Sequence, residues 1–135
     1  MVVRRHGGAP VVLRNEPFLD DGRPMPTRYW LVDPELCEAV SRLEAQGGVR
    51  AATAAVDPGE LAAAHARYAA ERDAAVPEGR AGPLPSGGVG GTRQGVKCLH
   101  AHLAWWLAGG DDAVGRFTAQ RLGVDRRSFV VAEDA

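Results

Sequence analysis

Two aspartate–proline pairs, Asp33-Pro34-Glu35 and Asp57-Pro58-Gly59-Glu60, constrain this chain more than any other feature, because each marks a helix start. An aspartate at the N-cap accepts a hydrogen bond from a first-turn amide, proline suits the first helical position, and an acid in that turn complements the helix dipole. Asp57 and Glu60 also stand at capping-box spacing. The first helix carries an apolar stripe of Leu36, Val40 and Leu43 and stops at Gly47-Gly48. Cys37 lies beside that stripe, where a small buried thiol is the simplest reading. The second helix runs to about Ala75 with a thin apolar face, mainly Leu61, Tyr68 and alanines. His65, one turn before Tyr68, reads as a surface or packing residue.

Ahead of these helices, Val11-Val12-Leu13 and Arg28-Tyr29-Trp30-Leu31-Val32 have the β-branched and aromatic character of strands. They predict an antiparallel hairpin around the Asp20-Asp21-Gly22 turn, with Pro24 and Pro26 confining the pairing to its far end. Beyond the second helix, Pro77 to Gly91 is too rich in Pro, Gly and Ser for regular structure and reads as a connector or functional loop. A third helix is expected from near Arg93–Gly95 to Gly109-Gly110. A fourth runs from Asp112 to Leu122, with Val114, Phe117 and Leu122 facing inwards and Gly123 as its stop. Ser128-Phe129-Val130-Val131 suits a short terminal strand, and Ala132 to Ala135 a frayed end. The expected fold is α+β: a small N-terminal β-hairpin packed on about four α-helices, the Cys98 helix innermost. All 135 residues form one domain with a short tail at about 124–135.

The formal net charge of −1 argues against charge-driven nucleic-acid binding. No run approaches the roughly 18 apolar residues that cross a bilayer, and Met1-Val2-Val3-Arg4-Arg5-His6 lacks a signal-peptide core. A cytoplasmic location and no membrane partner are expected. In a reducing compartment Cys37 and Cys98 are then free thiols or metal ligands.

The densest chemistry lies in one stretch, Gly87 to His102, which joins a glycine-rich loop to the third helix. On that helix Val96, Leu99, Leu103, Trp106 and Leu107 form one apolar arc with His100 at its edge. Cys98 and His102, four apart, are expected to project together from another face and could reach one metal ion. Further ligands would come from His6, Asp33 or Cys37. A Cys98–His102 nucleophile–base pair is the less usual alternative, both partners lying on one helix. The loop itself suits an anion: the amides of Gly88, Gly90 and Gly91 at a helix start, with Arg93 and Lys97 adding charge. It is not a phosphate-binding P-loop, because Lys97 follows Val96 and Cys98 stands where the hydroxyl belongs.

Met25-Pro26-Thr27, Tyr29-Trp30-Leu31, Ser41-Arg42-Leu43-Glu44, Gly87-Gly88-Val89-Gly90-Gly91 and Gly95-Val96-Lys97-Cys98-Leu99-His100-Ala101-His102 resemble the bacterial domain of unknown function 501 family. The resemblance covers about Arg4 to Leu122, and its last segment is the most specific. The family pattern has cysteines after Arg-Arg and before the proline that follows Tyr-Trp-Leu. This chain has His6 and Asp33 there. The resemblance thus implies a Cys/His-rich site adapted to His6, Asp33, Cys98 and one of His100 or His102, or one that has been lost, since Asp33 already has a role as a cap. With few thiolates, zinc fits better than iron. The leading expectation is therefore a metal-binding domain, with His6, Asp33, Cys37, Cys98, His100 and His102 as candidate ligands and zinc as the ion. The rivals are a phosphate-binding protein or hydrolase acting on an anionic small molecule, and a non-catalytic module with a protein partner.

Overall fold

Strand pairing begins with Val12, which meets Leu31 across an antiparallel ladder that continues through Leu13–Trp30 and Arg14–Tyr29. This is the expected hairpin, formed by β2 (Pro10–Arg14) and β3 (Tyr29–Leu31). The computed structural model, which describes residues 1–132, extends it on the other side of β2. There β1 (Val3–Arg5) and β4 (Phe129–Val131) complete an antiparallel sheet in the order β3-β2-β1-β4. β4 lies where the sequence places it. β1 does not announce itself: two of its three residues are arginines, and it is held by pairing on both edges with Val3 fully buried. The expected fraying of the last residues lies, past Ala132, outside the described residues.

Both aspartate–proline pairs start helices as expected. Asp33 accepts from the Leu36 amide at 2.9 Å and opens α1 (Pro34–Ala45). Asp57 accepts from the Glu60 amide at 3.0 Å and opens α3 (Pro58–Asp73). Between them the structure adds α2 (Gly48–Ala55), where the sequence offers only a stop. Gly47 takes a left-handed φ of 86°, which ends α1 and turns the chain directly into a new helix.

α3 supports the irregular segment that follows it. The Tyr68 hydroxyl accepts from the Arg28 amide at 2.5 Å, fixing the entry to β3. Arg72 is almost wholly buried, and its Nη1 donates to the carbonyls of Pro26 at 3.1 Å, Ser86 at 3.4 Å and Gly87 at 2.8 Å. A buried guanidinium needs such acceptors, and here the chain on either side of it supplies them.

α4 (Leu99–Leu107) is the enclosed helix that its two bulky faces predict, packed most extensively against α5 (Ala113–Leu122) and β3. Leu99, Leu103, Trp105 and Leu107 are all buried. It begins later than expected. Residues 92–98 are irregular, Gly95 has a φ of 69°, and Cys98 is the extended N-cap with φ −147° and ψ 115°. Cys98 therefore stands outside the helix and does not share a helical face with His102. α5 follows expectation, with Asp112 capping the Val114 amide at 3.0 Å and Gly123 ending the helix. Among the described residues, no helix is long and apolar enough to cross a membrane.

Candidate metal centre

The site is built where α1 passes the start of α4. α1 carries a second stripe beside its apolar one, Cys37, Ser41 and Glu44, at the spacing that puts residues on one helical face. That stripe meets His100 in the first turn of α4. His100 Nε2 lies 3.2 Å from the Cys37 carbonyl oxygen and 3.2 Å from the Ser41 hydroxyl. A carbonyl can only accept, so Nε2 carries the proton and donates.

The opposite ring nitrogen faces two electron-rich neighbours. His100 Nδ1 is 3.2 Å from Glu44 Oε1 and 3.8 Å from Cys98 Sγ. Glu44 is held in turn: its Oε2 accepts from the Leu99 amide at 2.9 Å, supplying the cap that the Cys98 side chain does not make. One donor atom from each of Glu44, Cys98 and His100 lies within 4.8 Å of the other two, and all three residues are half-buried. In the neutral imidazole, the Nδ1 lone pair would face a carboxylate oxygen and a sulfur with no hydrogen shared between nitrogen and carboxylate. The Cys98 thiol can donate to that lone pair, and with the thiol deprotonated the three donor atoms together suit a metal ion. These residues could hold a metal.

Cys98 and His100 also line a cleft of about 410 Å³ between β3 and the start of α4, walled by Thr27, Tyr29, Trp30, Leu31 and Ala101. Glu44, the third member of the cluster, reaches His100 and the Leu99 amide from α1.

The other candidate ligands lie elsewhere. His6 is exposed, its Nε2 3.5 Å from the Arg127 carbonyl. Asp33 is buried and held by Arg5, at 2.7 and 2.8 Å, as well as by the Leu36 amide. The Arg5 guanidinium holds its carboxyl below the usual range. Cys37 donates its thiol to the Leu31 carbonyl at 3.3 Å, and burial, reinforced by the Asp33 charge, pushes that thiol up. Its main-chain carbonyl, not its sulfur, touches the site. His102 is fully buried, with Nδ1 donating to Asp112 Oδ2 at 2.6 Å. The spacing Cys98–His102 suggested one face, but the N-cap conformation of Cys98 separates them and brings His100 to the sulfur instead.

Two of the three candidate loop amides, those of Gly88 and Gly91, are spent on neighbouring carbonyls. Gly88 donates to the Thr92 carbonyl at 2.7 Å, Gly91 to the Gly88 carbonyl at 3.0 Å, and Val89 to His65 Nδ1 at 3.0 Å. His65 Nε2 then donates to the Gly95 carbonyl at 2.8 Å, so this histidine is a packing residue that staples the loop at both ends. A Cβ at Gly88 would overlap the His65 ring. Gly90 borders the cleft, and Arg93 and Lys97 are exposed, with no hydrogen bond or ion pair among the described residues.

Glu44 is the member that sequence reasoning missed. Its signal was the Cys37, Ser41, Glu44 stripe at helical spacing, two of whose members fall in the Ser41-Arg42-Leu43-Glu44 segment.

The chain belongs to the family described as "Protein of unknown function (DUF501)", whose pattern matches residues 1–120. No curated protein and no solved structure matches it.

Proposed function

We propose that this member of a family of unknown function binds a divalent transition metal, zinc, through Glu44 Oε1, Cys98 Sγ and His100 Nδ1. The observation that carries the reading is the orientation of His100. Its Nε2–H is spent on the Cys37 carbonyl, which turns the Nδ1 lone pair towards a thiol and a carboxylate. Metal-bound histidines are held in this way, by a carbonyl or carboxylate on the nitrogen that does not bind the metal.

The two separations from Nδ1 are compatible with an ion. A tetrahedral zinc with bonds of about 2.0–2.3 Å separates its ligand atoms by roughly 3.3–3.8 Å. The contacts of 3.2 Å and 3.8 Å around Nδ1 are close to that range. Thiolate, imidazole and carboxylate together suit zinc, whereas one sulfur is too few for an iron–sulfur cluster. Three protein ligands would leave such an ion a position for a small molecule, and two of the three residues, Cys98 and His100, line the cleft. The protein would then work where thiols stay reduced, as in the cytoplasm.

The test is elemental analysis of protein purified without chelators or added metal, and again after reconstitution under reducing conditions. About one zinc per chain is expected, falling to background in Cys98→Ala. A chain that takes up no stoichiometric metal, or a Cys98→Ala variant that keeps it, overturns the reading.

A further inference from the structure

The three donors leave one face of the cluster uncovered by any further His, Cys, Asp or Glu among the described residues. Two of the three residues, Cys98 and His100, line the cleft, whose volume of about 410 Å³ is that of a small-molecule pocket. The cleft wall is aromatic and aliphatic, from Tyr29, Trp30, Leu31 and Ala101, with hydroxyls on Thr27 and Tyr29. Among the described residues it contains no lysine, arginine, aspartate or glutamate. Trp30 is the notable member: 46% of it is exposed, on the edge strand β3, while its neighbour Tyr29 is buried against Tyr68. An indole left uncovered beside a pocket offers a flat face for stacking.

Charge narrows the ligand further. A carboxylate and a thiolate together neutralise a divalent ion, so the loaded centre has no net charge with which to attract an anion. No basic side chain in the wall compensates. From these observations we infer that the cleft binds an uncharged, flat heteroaromatic molecule, whose ring nitrogen takes the fourth position on the metal while its body stacks on Trp30. This inference rests on the metal reading above. Phosphorylated ligands are disfavoured, because the wall offers them no lysine or arginine among the described residues and the loaded centre no net positive charge.

The experiment uses the full chain loaded with cobalt, whose visible absorption reports its ligands. Benzimidazole is the probe, indene its counterpart of similar shape without ring nitrogens, and benzoate an anionic aromatic. Benzimidazole is expected to shift the cobalt bands saturably, indene to leave them unchanged, and benzoate to bind at least about tenfold more weakly. Trp30→Ala should weaken benzimidazole about tenfold, the scale of one aromatic contact, and leave cobalt affinity unaltered. Cobalt that binds with a spectrum indifferent to benzimidazole overturns the inference and leaves the metal reading standing. So does benzoate binding as tightly as benzimidazole, or a Trp30→Ala variant of undiminished affinity. Failure of cobalt to bind at all overturns the metal reading, and this inference with it.

Discussion

α4 carries two histidines with opposite fates. His100, in its first turn, keeps 27% of its side chain exposed and faces a thiol and a carboxylate across a cleft edge. His102, two residues on, is fully buried and gives Nδ1 to Asp112. Its Nε2 finds no partner among the described residues, and its ring stands edge-on to His65 at 5.7 Å. Both are imidazoles on one short helix beside the same cysteine in sequence. The difference comes from what the neighbouring elements bring: α1 offers His100 a carbonyl, a hydroxyl and a carboxylate, while the start of α5 offers His102 a single capping aspartate. Both rings are held through one nitrogen, so what sets them apart is what faces the other: a thiol and a carboxylate at His100, no described partner at His102.

The comparison breaks most visibly at the buried end. Asp112→Ala removes the partner of His102 and the cap of α5 together, and should cost about 2–4 kcal/mol in urea denaturation, with zinc per folded chain unchanged. Zinc loss in that variant would join the two histidines into one site. At the open end the pattern inverts. His100→Ala should weaken zinc binding at least about a hundredfold, by competition with a chromophoric chelator, while metal-free stability falls by about 1 kcal/mol or less. A large stability loss without a change in zinc affinity would make His100 another His102.

The smallest effect concerns Asp33, a candidate ligand that the Arg5 pair takes out of contention. Its carboxyl pKa is depressed by Arg5, so the stability it contributes is present above the ordinary carboxylate range of about 4 and is lost as pH falls through the lower folded value. Asp33→Asn should cost about 1 kcal/mol near neutrality, lose that acid-dependent component between about pH 5 and 2, and retain zinc. Denaturation curves across that range, with metal analysis alongside, check both halves.

Much of the fold was legible because its signals are local. Asp33, Asp57 and Asp112 each cap a helix within a few residues of themselves, and Gly123 ends one by its own backbone conformation. The β2–β3 pairing follows from two adjacent apolar runs. What stayed hidden depends on distant partners. β1 exists because β2 and β4 flank it, and the start of α4 is set by Glu44, a residue 55 positions earlier in the chain. The site was half legible for the same reason. Cys98 and His100 stand in one segment, but Glu44 reads alone as an ordinary surface acid until α1 and α4 are brought together.

Arg72 carries a consequence for motion. The segment from Pro77 to Gly91 has a composition that suggests nanosecond mobility, yet its last residues are tied to a buried cation through Ser86 and Gly87 and to His65 through Val89. Freeing Gly87 and Val89 takes carbonyl acceptors from a buried guanidinium, which keeps Pro26 and Asp73, and leaves His65 Nδ1 without its donor, which places their release among local unfolding events, on microseconds and longer. The tip around Gly79 to Leu84 is exposed and held differently, by Arg80, which donates to the Gly22 carbonyl at 3.1 Å and lies over the Phe18 ring. One stretch of chain thus holds two clocks, and the slow one runs up to Gly90, at the edge of the cleft.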